Sequence, residues 1–167
     1  MNAPNPVTLD MTLPMEVGIC CEDLNALLAF YTDVLGFELV NRVAVPPAKA
    51  ASSGLAPEGY EVARLQTPYG ERLKLLQPQV KPLTAPRQGP ILKHRNTTYL
   101  TFIVRHLASV VDKLAAQGVQ FDSNPARMEV RPGTWLAFFR DPEGNILELV
   151  EYDNPAEYRP DIASAAQ

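Results

Sequence analysis

Phe138-Phe139-Arg140-Asp141-Pro142-Glu143-Gly144-Asn145-Ile146-Leu147-Glu148-Leu149-Val150-Glu151-Tyr152 reads as strand, tight turn, strand. The preceding run Trp135 to Phe139 is rich in aromatics, which suit a pleated, half-buried surface. Asp141 to Asn145 supplies the turn: a proline of fixed φ, then a glycine that can take positive φ. On the strand that follows, alternation puts Ile146, Glu148 and Val150 on one face and Leu147 and Leu149 on the other. A carboxylate among apolar neighbours is costly to bury alone, so Glu148 is expected to meet a metal, a cation or a substrate.

Working outward, the same order of elements occurs twice. Met15–Cys21 is predicted as a strand with Glu16, Gly18 and Cys20 on one face. Asp23 can cap a helix whose apolar stripe is Leu24, Leu27, Leu28, Tyr31 and Leu35, ending at Gly36. Phe37–Val45 returns as a strand, and Tyr60–Gln66 with Arg72–Gln77 reads as a hairpin around Thr67-Pro68-Tyr69-Gly70. Residues 46–58 are small and proline-rich, either a binding loop or a merely flexible one. After the breaks at Pro78, Pro82, Pro86 and Pro90, a strand is predicted at Thr97–Val104. A helix with the stripe Leu107, Val110, Val111 and Leu114 follows, ending at Gly118. Further strands are predicted at Val119–Phe121, Arg127–Val130, Trp135–Phe139 and Ile146–Glu151. The repeat divides the chain into an arm (1–12), a first module (13–78), a linker (79–96), a second module (97–152) and a tail (153–167). The tail is read as an arm that packs on a partner or stays disordered.

Composition bounds the rest. The 167 residues are 46% hydrophobic and 20% charged, enough for a packed interior in one domain or two small modules. A net charge of −4 argues against nucleic acid or an anionic membrane as partner. No apolar run approaches the roughly 20 residues of a membrane helix, and Met1–Pro6 lacks the basic and apolar regions of a secretory signal, so the cytoplasm is expected. Cys20 and Cys21 are adjacent, an awkward geometry for a disulfide. They read as reduced structural thiols, the sharper alternative being that Cys20 lines a pocket.

The duplication, with Phe30-Tyr31-Thr32-Asp33-Val34-Leu35-Gly36-Phe37 and Asp141-Pro142-Glu143-Gly144-Asn145-Ile146-Leu147-Glu148-Leu149, resembles the vicinal oxygen chelate superfamily. That superfamily holds glyoxalase I, methylmalonyl-CoA epimerase, extradiol dioxygenases, fosfomycin-resistance enzymes and bleomycin-binding proteins. The resemblance implies an α+β fold of two βαβββ modules in tandem, their paired curved mixed sheets enclosing a cleft that often holds one divalent metal. It also implies a homodimer, since the family is usually dimeric. The family's metal-ligand positions fall here on Glu16, Lys74, Tyr99 and Glu148, where His and carboxylates are common in relatives. No histidine occupies any of the four, so dioxygenase chemistry is not expected. A protonated lysine cannot ligate a metal, so no metal cofactor is expected, and any ion present would fall to Glu16 and Glu148. His94 lies in the linker, and His106 opens the second helix in a solvated or capping role.

Three readings follow from the resemblance. In the first, Glu16, Lys74, Tyr99 and Glu148 form a metal-free acid/base site of a lyase or isomerase acting on a small carbonyl or carboxylate compound. Glu148 or Glu16 then takes a proton, Lys74 and Tyr99 stabilise the enolate, and Arg64 or Arg72 holds an anionic group. In the second, the protein sequesters an aromatic or cationic small molecule, with Tyr99, Trp135 and Phe138 lining the site. In the third it is a metal-dependent glyoxalase-like lyase with atypical ligands. The bland alternative to all three is an ion-pair network left after loss of a metal.

Overall fold

The computed structural model describes residues 9–84, 89–93 and 95–163. Residues 1–8 of the expected arm, His94 and the end of the tail from 164 lie outside the described residues. The chain separates into two compact units, Met1–Pro82 and Leu83–Gln167.

The first unit runs β1 (Glu16–Cys20), α1 (Leu24–Ala29), a π-helical turn (Phe30–Val34), β2 (Glu38–Val45), α2 (Pro47–Ala50), β3 (Tyr60–Gln66) and β4 (Arg72–Pro78). Its sheet has the order β1-β4-β3-β2, with β1 parallel to β4 and the other pairs antiparallel. Local chemistry starts the helix: Asp23 Oδ1 accepts from the N–H groups of Asn25 and Ala26, both at 3.0 Å. The apolar stripe then packs Leu24, Leu27 and Tyr31 out of water with Ala63, Leu65, Leu73 and Leu75 of the sheet. Each such leucine contributes roughly 1.5–3 kcal/mol by burial.

The helix is not the uniform one its periodicity predicts. Beyond Ala29 it widens, so that the Leu35 N–H reaches back five residues to Phe30 O at 3.2 Å. The widened turn contains Thr32, whose hydroxyl bonds back to Leu28 O at 3.0 Å, a contact that competes with regular helix. Gly36, at φ +74°, ends it. Within the expected 46–58 loop, Pro47 opens the short helix α2, a position that suits its missing N–H.

The second unit repeats the plan with β5 (Tyr99–Ile103), α3 (Leu107–Ala116), β6 (Met128–Arg131), β7 (Thr134–Arg140) and β8 (Ile146–Tyr152), in the order β5-β8-β7-β6. α3 buries Leu107, Val111 and Leu114 and touches β7 and β8. Two short helices follow, α4 (Pro155–Tyr158) and α5 (Pro160–Ala163), and a 3-10 turn (Ile91–Lys93) precedes β5. The strand predicted at Val119–Phe121 does not form; a single bridge joins Phe121 to Phe139. Beyond that bridge the Asp122 N–H still donates to Phe138 O at 2.8 Å, but Ser123 Oγ, not a carbonyl, accepts the Phe138 N–H at 3.1 Å, and the pairing ends there.

The quoted turn folds on Asp141, which is 4% exposed. Its Oδ1 accepts from the N–H groups of Glu143 and Asn145, at 3.0 and 2.9 Å, and its Oδ2 from Asn145 Nδ2 at 2.8 Å. Gly144, at φ +85°, lets the chain reverse.

Candidate functional site

Glu148 sits in the middle of β8 between four buried apolar residues and is itself 8% exposed. Register fixes what surrounds it. Thr101 of β5 and Phe138 of β7 are its cross-strand partners, so their side chains share its face. Thr101 Oγ1 donates to Glu148 Oε2 at 2.5 Å. Among the described residues Oε1 accepts no hydrogen bond, and no cation pairs with the carboxylate. Tyr99, two residues before Thr101, packs edge-on against Phe138 with ring centroids 5.5 Å apart.

This face is hollowed beside Glu148 into a space of about 480 Å³ that also involves Tyr99, Thr101, Arg131 and Tyr152. Arg131 Nε donates to Thr134 Oγ1 at 3.0 Å, which fixes its guanidinium at the rim. Tyr158 from α4 lies on Tyr152, centroids 3.8 Å apart and planes 16° apart. Burial, then the Tyr158 hydrogen bond, pushes the Tyr152 hydroxyl up to about 12. Tyr152 is therefore a phenol, and a donor, at neutral pH.

The first unit has a counterpart face. Glu16 pairs across strands with Arg72, and Lys74 lies between Gly18 and Arg64. Lys74 Nζ is 3.6 Å from Glu16 Oε2 and Arg72 Nη1 is 3.8 Å from Glu16 Oε1. Arg72 Nε also donates to Gln66 Oε1 at 2.8 Å, and Arg64 Nη1 to Asn41 Oδ1 at 3.1 Å. These groups are only half-buried, a setting in which ion pairs contribute roughly 0–1 kcal/mol. Cys20 is exposed on this same face, Cys21 is buried on the other, and neither is in a disulfide.

The structure thus gathers Glu16, Lys74, Arg64, Arg72 and Cys20 on one sheet and Tyr99, Phe138 and Glu148 on the other. The two registers make Glu16 equivalent to Tyr99, Gly18 to Thr101, Lys74 to Glu148 and Arg64 to Phe138. The duplicated position therefore carries opposite charges in the two units.

One expectation needs correction. Trp135 shares the face of Ala137 and Phe139, opposite to Glu148, because it is one residue out of phase with Leu136 and Phe138. There its ring takes the Arg127 guanidinium at 3.7 Å. His106 keeps the solvated one of its two expected roles: it is exposed at the N-cap position of α3 and makes no side-chain cap bond. Instead its own N–H and that of Leu107 donate to the Glu151 carboxylate, at 2.7 and 3.1 Å.

Sequence reading missed Thr101, Arg131, Thr134, Tyr152 and Tyr158. Alternation alone would have found two of them, since Thr101 is in phase with Tyr99 and Tyr152 with Glu148. Tyr158 needs the fold of the tail.

The donor set does not fit a divalent cation. The Glu16 carboxylate is held by an ammonium and a guanidinium, and beside Glu148 stand hydroxyls and phenols. Among the described residues no group of three His, Cys, Asp or Glu side chains could hold a metal ion.

Comparison with solved structures places the fold. A glyoxalase family protein from Bacillus cereus superposes with a TM-score of 0.73 at 23% identity, covering 87% of this chain and 97% of that one. One from Enterococcus faecalis gives 0.62 at 23% identity, covering 86% and 100%. The trypanothione-dependent glyoxalase I of Leishmania major gives 0.61 at 20% identity, covering 91% and 94%. No curated protein sequence matches the chain. The profile of the Glyoxalase/Bleomycin resistance protein/Dioxygenase superfamily matches residues 12–149. With that profile spanning most of the sequence, and both units built on the strand order of a glyoxalase-like fold, this chain belongs to the Glyoxalase/Bleomycin resistance protein/Dioxygenase superfamily.

Proposed function

We propose that the protein is a lyase or isomerase that works on a small carbonyl or carboxylate compound by acid/base chemistry, without a His-ligated metal. The observation that carries this reading is Glu148, a buried carboxylate bonded to a hydroxyl rather than a cation, at the edge of a hollow. A base of this kind removes the proton α to a carbonyl. The Thr101 bond orients Oε2 and leaves Oε1 for the substrate. Arg131 is the cation available at the same hollow to hold a substrate carboxylate, and Tyr99 is a donor for the developing enolate oxygen. Returning the proton to another position gives isomerisation; expelling a group from the neighbouring carbon gives a lyase. Lys74 with Glu16 is the second candidate pair, in the first unit.

The test is exchange of the α-hydrogen for deuterium in a panel of 2-oxo and 2-hydroxy carboxylates, followed by NMR. Glu148→Gln keeps the Thr101 hydrogen bond and the volume, so the fold should hold while exchange falls by roughly 10²–10⁴. Lys74→Met, on a half-buried pair, tests the second candidate in the same assay. Exchange that is absent throughout the panel, or equal in wild type and Glu148→Gln, refutes the base.

A second reading is favoured by the company Glu148 keeps: one carboxylate with Tyr99, Tyr152 and Tyr158 also suits a bound aromatic cation. Tight calorimetric binding of such a cation, with the ligand recovered unchanged by mass spectrometry, favours a sequestering protein.

A further inference from the structure

The hollow at Glu148 continues along the sheet. Val130 and Leu136 line it and also line a second hollow of about 660 Å³, whose floor adds Met128 and Phe138. The roof of this second space comes from outside the sheet, from Ile91 and Leu92 in the proline-bounded segment before β5. That segment reads as a linker in the sequence, yet here it lies over a binding-sized space. Its far end is bounded by Arg140 and Asp122, whose charges meet each other at 2.7 Å and ask for no charged ligand. Leu92 is 80% and Val130 48% exposed, so apolar surface stands in water at the hollow, available to an apolar group that covers it.

We propose that the substrate carries an extended apolar arm, alkyl or aryl, lying between the Leu136 and Phe138 floor and the Ile91 and Leu92 roof, with its carbonyl or carboxylate head at Glu148. The identity of the head rests on the acid/base reading above, while the arm rests on the continuity of the two hollows. One molecule spanning both explains why the polar groups are confined to the Glu148 end and the Arg140–Asp122 end. It also gives the 89–92 segment a role, as the element that selects for arm length.

The experiment is calorimetric titration with unbranched 2-oxo carboxylates of about three to about ten carbons, affinity rising about fourfold per methylene until the hollow is filled. Ile91→Asp, on a turn outside the sheet, should abolish that dependence while leaving the shortest compound's affinity unchanged. Leu136→Trp fills the floor and should cap the series at shorter chains. A flat series in the wild type, no binding by any member, or a slope that survives Ile91→Asp overturns the arm. Its fate is separable from that of the base. Rising affinity without α-deuteration upholds the arm and sinks the base, whereas α-deuteration with flat affinities sinks the arm and leaves Glu148 as base.

Discussion

Two acidic residues seven positions apart in the sequence, Asp141 and Glu148, are both less than a tenth exposed, and they solve burial in opposite ways. Asp141 spends both oxygens on the turn it nucleates, a structural use visible in the Asp-Pro-Glu-Gly-Asn motif itself. Glu148 takes a bond from a residue 47 positions away, which no local pattern announces. Tyr152, in phase with Glu148 on the same strand, yields a pH prediction. Its hydroxyl is pushed up to about 12, against an ordinary phenol near 10 in the unfolded chain. Between those values the unfolded state has lost the proton and the folded state keeps it. Stability from this group is thus whole below about 10 and is lost as pH rises through about 12. Denaturant midpoints measured across that window should fall in the wild type and fall less in Tyr152→Phe, whose ring remains stacked on Tyr158. Equal slopes in the two proteins would refute the assignment.

At the scale of elements, α3 illustrates how far a cap can come from. The helix starts without a side-chain cap from His106, and its first N–H groups are met by Glu151 of β8, more than 40 residues on. Because a buried or half-buried N–H without an acceptor is expensive, Glu151→Ala should lower stability by about 1–2 kcal/mol. The shift should appear in the urea midpoint with the m-value unchanged, and Glu151→Gln, which keeps one acceptor, should recover about half. The stripes of α1 and α3 were legible because the 3.6-residue period repeats within each segment. The π-helical turn after Ala29 was not, since apolar spacing does not register whether a turn holds one residue more. The strand expected at Val119–Phe121 is reduced to one bridge, and the Ser123 hydroxyl takes the Phe138 N–H that a longer ladder would use, a contact no three-residue β propensity announces.

Across the whole molecule the duplication is close in backbone and divergent in chemistry. Equivalent positions carry Lys74 and Glu148, Glu16 and Tyr99, Gly18 and Thr101. Exchanging the charges in the double variant Lys74→Glu/Glu148→Lys restores the composition of the pair but not its surroundings, because Gly18 offers no hydroxyl to hold a carboxylate. The exchanged protein should keep the far-ultraviolet circular dichroism of the wild type and remain inactive in the deuteration assay; activity recovered by the swap would mean that the environment of Glu148 does not matter. The Asp23 cap, the β3–β4 and β7–β8 turns and the faces of Glu16, Lys74, Tyr99 and Glu148 are legible in the chain alone because they depend on neighbours within a few residues, and the two-module plan because the order of elements repeats. That Thr101 holds Glu148, that Glu151 caps α3, that Tyr158 covers Tyr152 and that Ile91 and Leu92 roof a hollow emerges from the folded chain. Those contacts pair segments whose approach is set by sheet order and by folding of the termini and linker, and no periodicity within a single segment encodes that order.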